Sequence, residues 1–164
     1  GVMEAALRTA AAWLEPDSAS PKIEFREVRG IPFQVREATV TLDGITLNVA
    51  VANGLAAAGW VMEQISSGAR NYHFVEIMGC PGGCIGGGGQ PIPAKGPATL
   101  DEVRKARIAS LYSIDERMTL RRSHENPAIQ QLYTEFLGQP GSERAHHLLH
   151  THYHARVPAG IRRR

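Results

Sequence analysis

Residues 38–51 read Ala38-Thr39-Val40-Thr41-Leu42-Asp43-Gly44-Ile45-Thr46-Leu47-Asn48-Val49-Ala50-Val51, and this stretch decides the fold. Ala38, Val40 and Leu42 alternate along the first arm; Ile45, Leu47, Val49 and Val51 alternate along the second. A period of two puts every second side chain on one face of a strand. Asp43-Gly44 between the arms is the dipeptide that best tolerates positive φ in a two-residue turn. The spacing predicts an antiparallel hairpin.

Helices and short strands surround it. Met3, Ala6, Leu7, Ala10, Trp13 and Leu14 recur at helical spacing, predicting an amphipathic helix over 2–14 that Pro16 and the stretch 17–21 end. A strand is expected over 23–28, before the Gly30/Pro32 turn. After Asn53-Gly54, residues 55–66 read as a helix with Trp60 and Ile65 inward, and 72–78 as a short strand. Past a proline-rich linker (91–97), Thr99 and Glu102 form a capping box opening a helix that runs through Ala106 to about Tyr112. Asn126-Pro127 is a cap followed by a proline at the first helical position. Its helix should bury Ile129, Leu132, Tyr133, Phe136 and Leu137 and end at Gly138. Ser142 caps a last short helix carrying Ala145, Leu148 and Leu149. The second half is therefore expected to be helical.

The chemistry concentrates where the strand over 72–78 ends, in Gly79-Cys80-Pro81-Gly82-Gly83-Cys84-Ile85-Gly86-Gly87-Gly88-Gly89-Gln90-Pro91. Ligands of α/β sheets sit beyond the carboxyl ends of strands. Thiolates bind soft metal centres, and iron–sulfur clusters are held mainly by cysteine. Glycines such as Gly82 and Gly83 let the backbone approach closely and take positive φ, so that N–H groups can point at sulfur. A phosphate-binding loop is excluded, because it needs Lys-Ser/Thr next, whereas Gln90-Pro91 follows here. A disulfide between Cys80 and Cys84 would close little chain entropy. Half of a zinc site remains a competitor, since His146 and His150 are spaced i, i+4 and His152 and His154 follow. Free structural thiols are the third reading.

Bulk properties bound the rest. The 164 residues suffice for a compact domain with a core, and a net charge of +2 is too small to argue for nucleic acid or a membrane surface. The positive excess is local to Arg162, Arg163 and Arg164. No apolar run approaches the roughly 18–20 residues that span a bilayer. Glu4 and Arg8 interrupt the first apolar stretch, which is therefore no signal peptide. A chain that opens at Gly1, inside a helix and with Met3 following, is expected to be part of a longer protein.

The stretch Phe74-Val75-Glu76-Ile77-Met78-Gly79-Cys80-Pro81-Gly82-Gly83-Cys84-Ile85-Gly86-Gly87-Gly88-Gly89-Gln90-Pro91 resembles the third signature of the [FeFe]-hydrogenase active-site domain. Independently, Ala109-Ser110-Leu111-Tyr112, Asp115-Glu116, Arg122-Ser123-His124, Asn126-Pro127, Leu132-Tyr133 and Phe136-Leu137-Gly138 are similar to that family's small-subunit region. So is Ala145-His146-His147-Leu148-Leu149-His150-Thr151-His152-Tyr153. Val2-Met3-Glu4-Ala5-Ala6-Leu7-Arg8-Thr9 is similar to a helix lying between the family's second and third signatures.

The resemblance implies an α/β fold. Residues 1–98 would form part of a hydrogenase-type catalytic lobe with a small mixed sheet and flanking helices. Residues 99–164 would form a helical, small-subunit-like belt. It implies the H-cluster, a [4Fe–4S] cubane joined through one cysteine sulfur to a two-iron subcluster. Cys80 matches a plain cubane ligand, Cys84 the bridging ligand and Met78 the methionine beside the two-iron unit, with Gly82 and Gly83 in the cofactor-binding loop. The family's first two signatures do not occur in 1–164 and are expected upstream of Gly1. With them go two cubane ligands, a proton-relay cysteine and a lysine. The implied partners are the remainder of the catalytic domain and a ferredoxin or NADH-linked flavoprotein subunit as electron partner, in the cytoplasm. Tyr112, Asp115, Arg122, His124 and Tyr133 are assigned to packing and capping, and Glu76 is given no proton-transfer role. An iron–sulfur assembly scaffold related to hydrogenases is the alternative, with a zinc-binding module after it.

Overall fold

The computed structural model describes residues 1–17, 23–32, 34–91 and 100–155. The expected helix stop at 17–21, the linker over 92–97, the Thr99 cap and the terminal arginines lie wholly or partly outside them. The described elements run α1 (Val2–Leu14), β1 (Arg26–Glu27), β2 (Gln34–Leu42), β3 (Ile45–Asn53), α2 (Leu55–Ser66), β4 (Phe74–Met78), α3 (Leu100–Arg117), α4 (Pro127–Leu132) and α5 (Glu143–Leu149). This is the mixed α/β architecture expected from the sequence.

The four strands form one sheet in the order β1-β2-β3-β4. β2 and β3 pair antiparallel over their full length, from Gln34 opposite Asn53 to Leu42 opposite Ile45. Asp43 (φ 48°) and Gly44 (φ 73°) make the turn, with both residues left-handed as the twist of a two-residue hairpin requires. β4 returns through α2 to pair parallel with β3, ending with Asn53 opposite Met78. Only Arg26 and Glu27 of the expected 23–28 strand pair in the sheet, with Glu37 and Arg36. Both are exposed, while Ile23 and Phe25 pack on one core and Val28 on the other.

Each face of the sheet has its own helix. On one face, Met3, Leu7 and Ala11 of α1 meet Ala38, Val40, Leu42, Val49 and Val51. On the other, Ala57 and Val61 of α2 meet Val35 and Ala52. β3 is covered on both sides, which explains its unbroken buried run from Val49 through Ala52. Leu42 and Met3 are each 1% exposed, and truncation of such a side chain to alanine typically costs 2–5 kcal/mol. Ile65, expected inward, is 40% exposed, because the buried stripe of α2 stops at Val61.

α3 runs five residues beyond the expected Tyr112 and buries none of its side chains. It is held to the rest of its unit by polar anchors described below. The contacts divide the chain into two compact units, Gly1–Ser123 and a second beginning at His124. In the second, Asn126 accepts a hydrogen bond from the Ala128 N–H and Ser142 from the Ala145 N–H, the two expected caps. α4 passes into a π-helical turn, Tyr133–Leu137, closed by Gly138 at φ 82°. Of the expected stripe only Leu137 is buried; Ile129, Leu132 and Phe136 are exposed, as are Leu148 and Leu149 of α5. The helical period marks an apolar face, and within this small unit little chain is available to cover it.

Candidate metal centre

The cysteine loop leaves the sheet at the carboxyl ends of β3 and β4. Register lines up Gln34, Asn53 and Met78 across three strands at that edge. The Gly54 N–H donates to the Met78 carbonyl (2.7 Å) and ties the two parallel strands together. Gln34 Oε1 accepts the Gly82 N–H at 2.8 Å, so the first residue of β2 holds the loop.

Beyond Met78 the chain turns tightly. The Gly83 N–H donates to the Cys80 carbonyl (3.0 Å), a 3-10 turn runs over Gly83–Gly86, and the Gly87 N–H donates to the Cys84 carbonyl (3.3 Å). Gly82 and Gly83 are both left-handed, at φ 79° and 72°, a conformation that costs other residues roughly 1–2 kcal/mol. A Cβ on Gly83 would lie 2.6 Å from Met78 Sδ, and one on Gly86 would run into the Pro81 carbonyl oxygen. The N–H groups of Gly82 and Gly83 are taken by Gln34 and Cys80. These two glycines therefore contribute backbone shape and close approach rather than free donors.

Cys80 is half-buried, Cys84 is exposed, and both are free thiols. They line a cavity of about 530 Å3 together with Met78, Glu76 and Val2. Cys84 and Met78 also face a second cavity of about 810 Å3, whose wall includes Arg104 and Tyr112. The structure thus brings together Cys80, Cys84, Met78, Gly82 and Gly83. It adds Glu76, whose Oε2 accepts the Met3 N–H at 3.4 Å.

Two arginines of α3 reach the loop. Arg107 donates to the Ile85 carbonyl (2.8 Å) and the Pro91 carbonyl (2.5 Å). Arg104 lies against Gly82 and Gly86. Neither arginine emerges from the sequence reading. The signal available was their i, i+3 spacing, which puts both on one helix face; which carbonyls that face would meet is a tertiary fact.

Two further anchors dock α3. Arg8 of α1 grips Asp115 through both guanidinium nitrogens (3.0 and 2.9 Å), and Arg121 reaches the same carboxylate at 2.7 Å. Hydrogen bonds from Arg8 and then Arg121 lower the Asp115 pKa to about 2, and the same pairing raises that of Arg8. Tyr112 donates to Glu4 Oε1 (2.6 Å); burial, then this bond, push its phenol up to about 12. Both residues dock α3 through polar contacts, where the sequence reading expected packing and capping.

A metal here would find soft donors on a loop shaped for close approach. Among the described residues, no group of three or more His, Cys, Asp or Glu gathers at one point. The two thiols fit half of the four-cysteine set of a cubane, and the other half has to come from elsewhere. His146 and His150 stack on each other at 4.3 Å, with His152 at 6.1 Å from His146. They complete no such group either.

Comparison with known proteins then identifies the lineage. The family model for the iron only hydrogenase large subunit, C-terminal domain, matches residues 1–88. This chain belongs to the iron-only hydrogenase family. The model for the iron hydrogenase small subunit matches residues 101–156. An NADP-reducing hydrogenase subunit from Solidesulfovibrio fructosivorans is 46% identical over 95% of this chain. A cytosolic iron-sulfur assembly component from Rattus norvegicus is 36% identical over 81% of it. The chain spans 26% of the length of each. Among solved structures, an [FeFe]-hydrogenase variant from Chlamydomonas reinhardtii superposes with a TM-score of 0.75 at 40% identity, covering 93% of this chain and 44% of that one. The iron-only hydrogenase fold is thus present over the sheet, the cysteine loop and the helices after it. No described helix is long and apolar enough to cross a membrane.

Proposed function

We propose that this chain is the C-terminal part of an [FeFe]-hydrogenase catalytic domain and supplies two of the four cysteine ligands of its H-cluster. One observation carries the reading: Cys80 and Cys84 are free thiols on a glycine-constrained loop at the carboxyl edge of the sheet, facing a common cavity. Residues 1–98 belong in this reading to the catalytic lobe and 99–164 to a small-subunit-like segment.

When bound, the cluster, a [4Fe–4S] cubane with a two-iron subcluster, supplies the chemistry 2H⁺ + 2e⁻ ⇌ H₂. The protein residues have simpler tasks. Cys80 would hold the cubane through its thiolate, and Cys84 would be the ligand shared by the cubane and the two-iron unit. Met78 lines the cavity with a polarizable side chain that carries no transferable proton. Gly82, Gly83 and Gly86 keep the backbone close, while Gln34 and Arg107 fix the loop from either side. Burial and protein dipoles around the thiolates tune the potential. The remaining ligands come from the rest of the catalytic domain. Electrons come from a ferredoxin or an NADH-linked flavoprotein subunit, and a cytoplasmic location suits either partner.

A second reading, a non-catalytic iron–sulfur assembly factor, is supported by the similarity to an assembly component. The higher identity to the hydrogenase subunit (46%) than to the assembly component (36%) favours the enzyme. The test is to join the chain to the rest of a hydrogenase catalytic domain, load the cluster and assay hydrogen evolution with a strong reductant. Turnover is expected in the joined protein, none with Cys84→Ser and none in the isolated chain. Robust turnover by the isolated chain, or a fully active Cys84→Ser protein, overturns the proposal.

A further inference from the structure

Arg104 and Arg107 stand one turn apart on α3 and touch the same glycine loop, yet they are bonded differently. Arg107 is satisfied by two backbone carbonyls, Ile85 and Pro91. Its role is to hold the loop's shape. Arg104 Nε is buried and has no hydrogen-bond partner. A buried unpaired donor costs on the order of 1–3 kcal/mol, so its retention asks for a function.

The position of Arg104 indicates one. A Cβ on Gly82 would lie 3.1 Å from Arg104 Nε, and one on Gly86 would lie 3.5 Å from the same atom. These glycines stand two residues before and two residues after Cys84. The guanidinium therefore lies against the backbone on both sides of the cysteine that faces both cavities. Its ion-pair partner among the described residues, Asp101, is 3.4 Å away and 77% exposed, whereas the Arg104 side chain is 18% exposed. An exposed carboxylate in water cancels little of a nearby charge, and a charge screened from water acts over longer range. An arginine is also always protonated, so its field at the loop is permanent.

We propose that Arg104 is a positioning residue whose fixed positive charge, set against Gly82 and Gly86, favours the electron-rich state of the cluster held by Cys84 and raises its reduction potential. The proposal rests on the cysteine loop being a cluster site. Adding an electron makes a cluster more negative, and a largely buried cation beside it, 18% exposed, stabilises that form.

The test compares Arg104→Gln and Arg104→Lys in the complete hydrogenase domain carrying this chain, loaded with iron and sulfide. Iron content and the midpoint potential of the cubane are measured, the latter by electron paramagnetic resonance in a redox titration. The Gln variant is expected to show a lower midpoint potential than wild type, or to lose iron. The Lys variant, which keeps the charge, is expected to retain iron at the wild-type potential. Gln and Lys variants that behave alike, whether both unchanged, both shifted or both without iron, overturn the role of the charge. Wild-type protein without iron overturns the cluster site itself, which separates the two failures.

Discussion

Met78 and Gly83 are in contact with no space for a methyl group between them: a Cβ on Gly83 would lie 2.6 Å from Met78 Sδ. The last residue of β4 and the second left-handed glycine of the cysteine loop thus set each other's position. The contact joins the sheet to the thiols in a single step.

Gly83→Ala is therefore expected to be damaging. The φ of 72° alone costs roughly 1–2 kcal/mol with a side chain present, and Met78 must move as well. Thermal unfolding should report the loss and iron content after reconstitution should fall. Gly88→Ala is the control, because a Cβ there meets nothing within 4 Å. It should change stability by less than about 0.5 kcal/mol.

Arg107→Met should loosen the loop. It strips two carbonyls, Ile85 and Pro91, of their donor, at a cost of about 1–3 kcal/mol where they stay dry. Amide hydrogen exchange over 80–91 should accelerate while exchange in β2 and β3 does not. Unchanged protection of the loop would show that Arg107 does not hold it.

Acid should undock α3 before it unfolds the sheet. The Asp115 pKa is lowered from 3.8 to about 2 by its hydrogen bonds to Arg8 and Arg121. A depressed carboxylate contributes stability that is complete above the unfolded value and declines as pH falls from about 4 towards 2. Asp115→Asn should remove that dependence, so urea midpoints for wild type and variant should converge at the acid end. Parallel curves across this window would contradict the pairing.

Tyr112 has the opposite sign. Its phenol is raised to about 12 by burial and by Glu4, so its contribution is complete below the ordinary value near 10 and fades as pH rises through 12. Tyr112→Phe should cost about 1 kcal/mol at neutral pH. In an ultraviolet titration it should remove a late-ionising tyrosine.

Much of this was legible in the sequence because it is local. Asp43-Gly44, Asn126-Pro127 and Ser142 each act within a few residues, and each does what its chemistry suggests. The cysteine loop was legible for the same reason. The inaccurate readings concern what lies opposite a surface. Ile129, Leu132, Phe136, Leu148 and Leu149 have helical periodicity and are nonetheless exposed, since a period reveals a face and not its cover. Arg104, Arg107 and Gln34 were missed because each meets the loop across 16–48 residues, through backbone groups that leave no pattern in the sequence.

Cys80 and Cys84 are proposed to ligate iron together with cysteines from the rest of a hydrogenase domain. The direct measurement is Mössbauer spectroscopy of the reconstituted complete domain, as wild type and with Cys80 and Cys84 both changed to serine. Cubane iron in the wild type and its loss from the double variant are expected. An unchanged cubane spectrum after both thiols are removed, or no iron–sulfur signal in the wild type, would contradict the account.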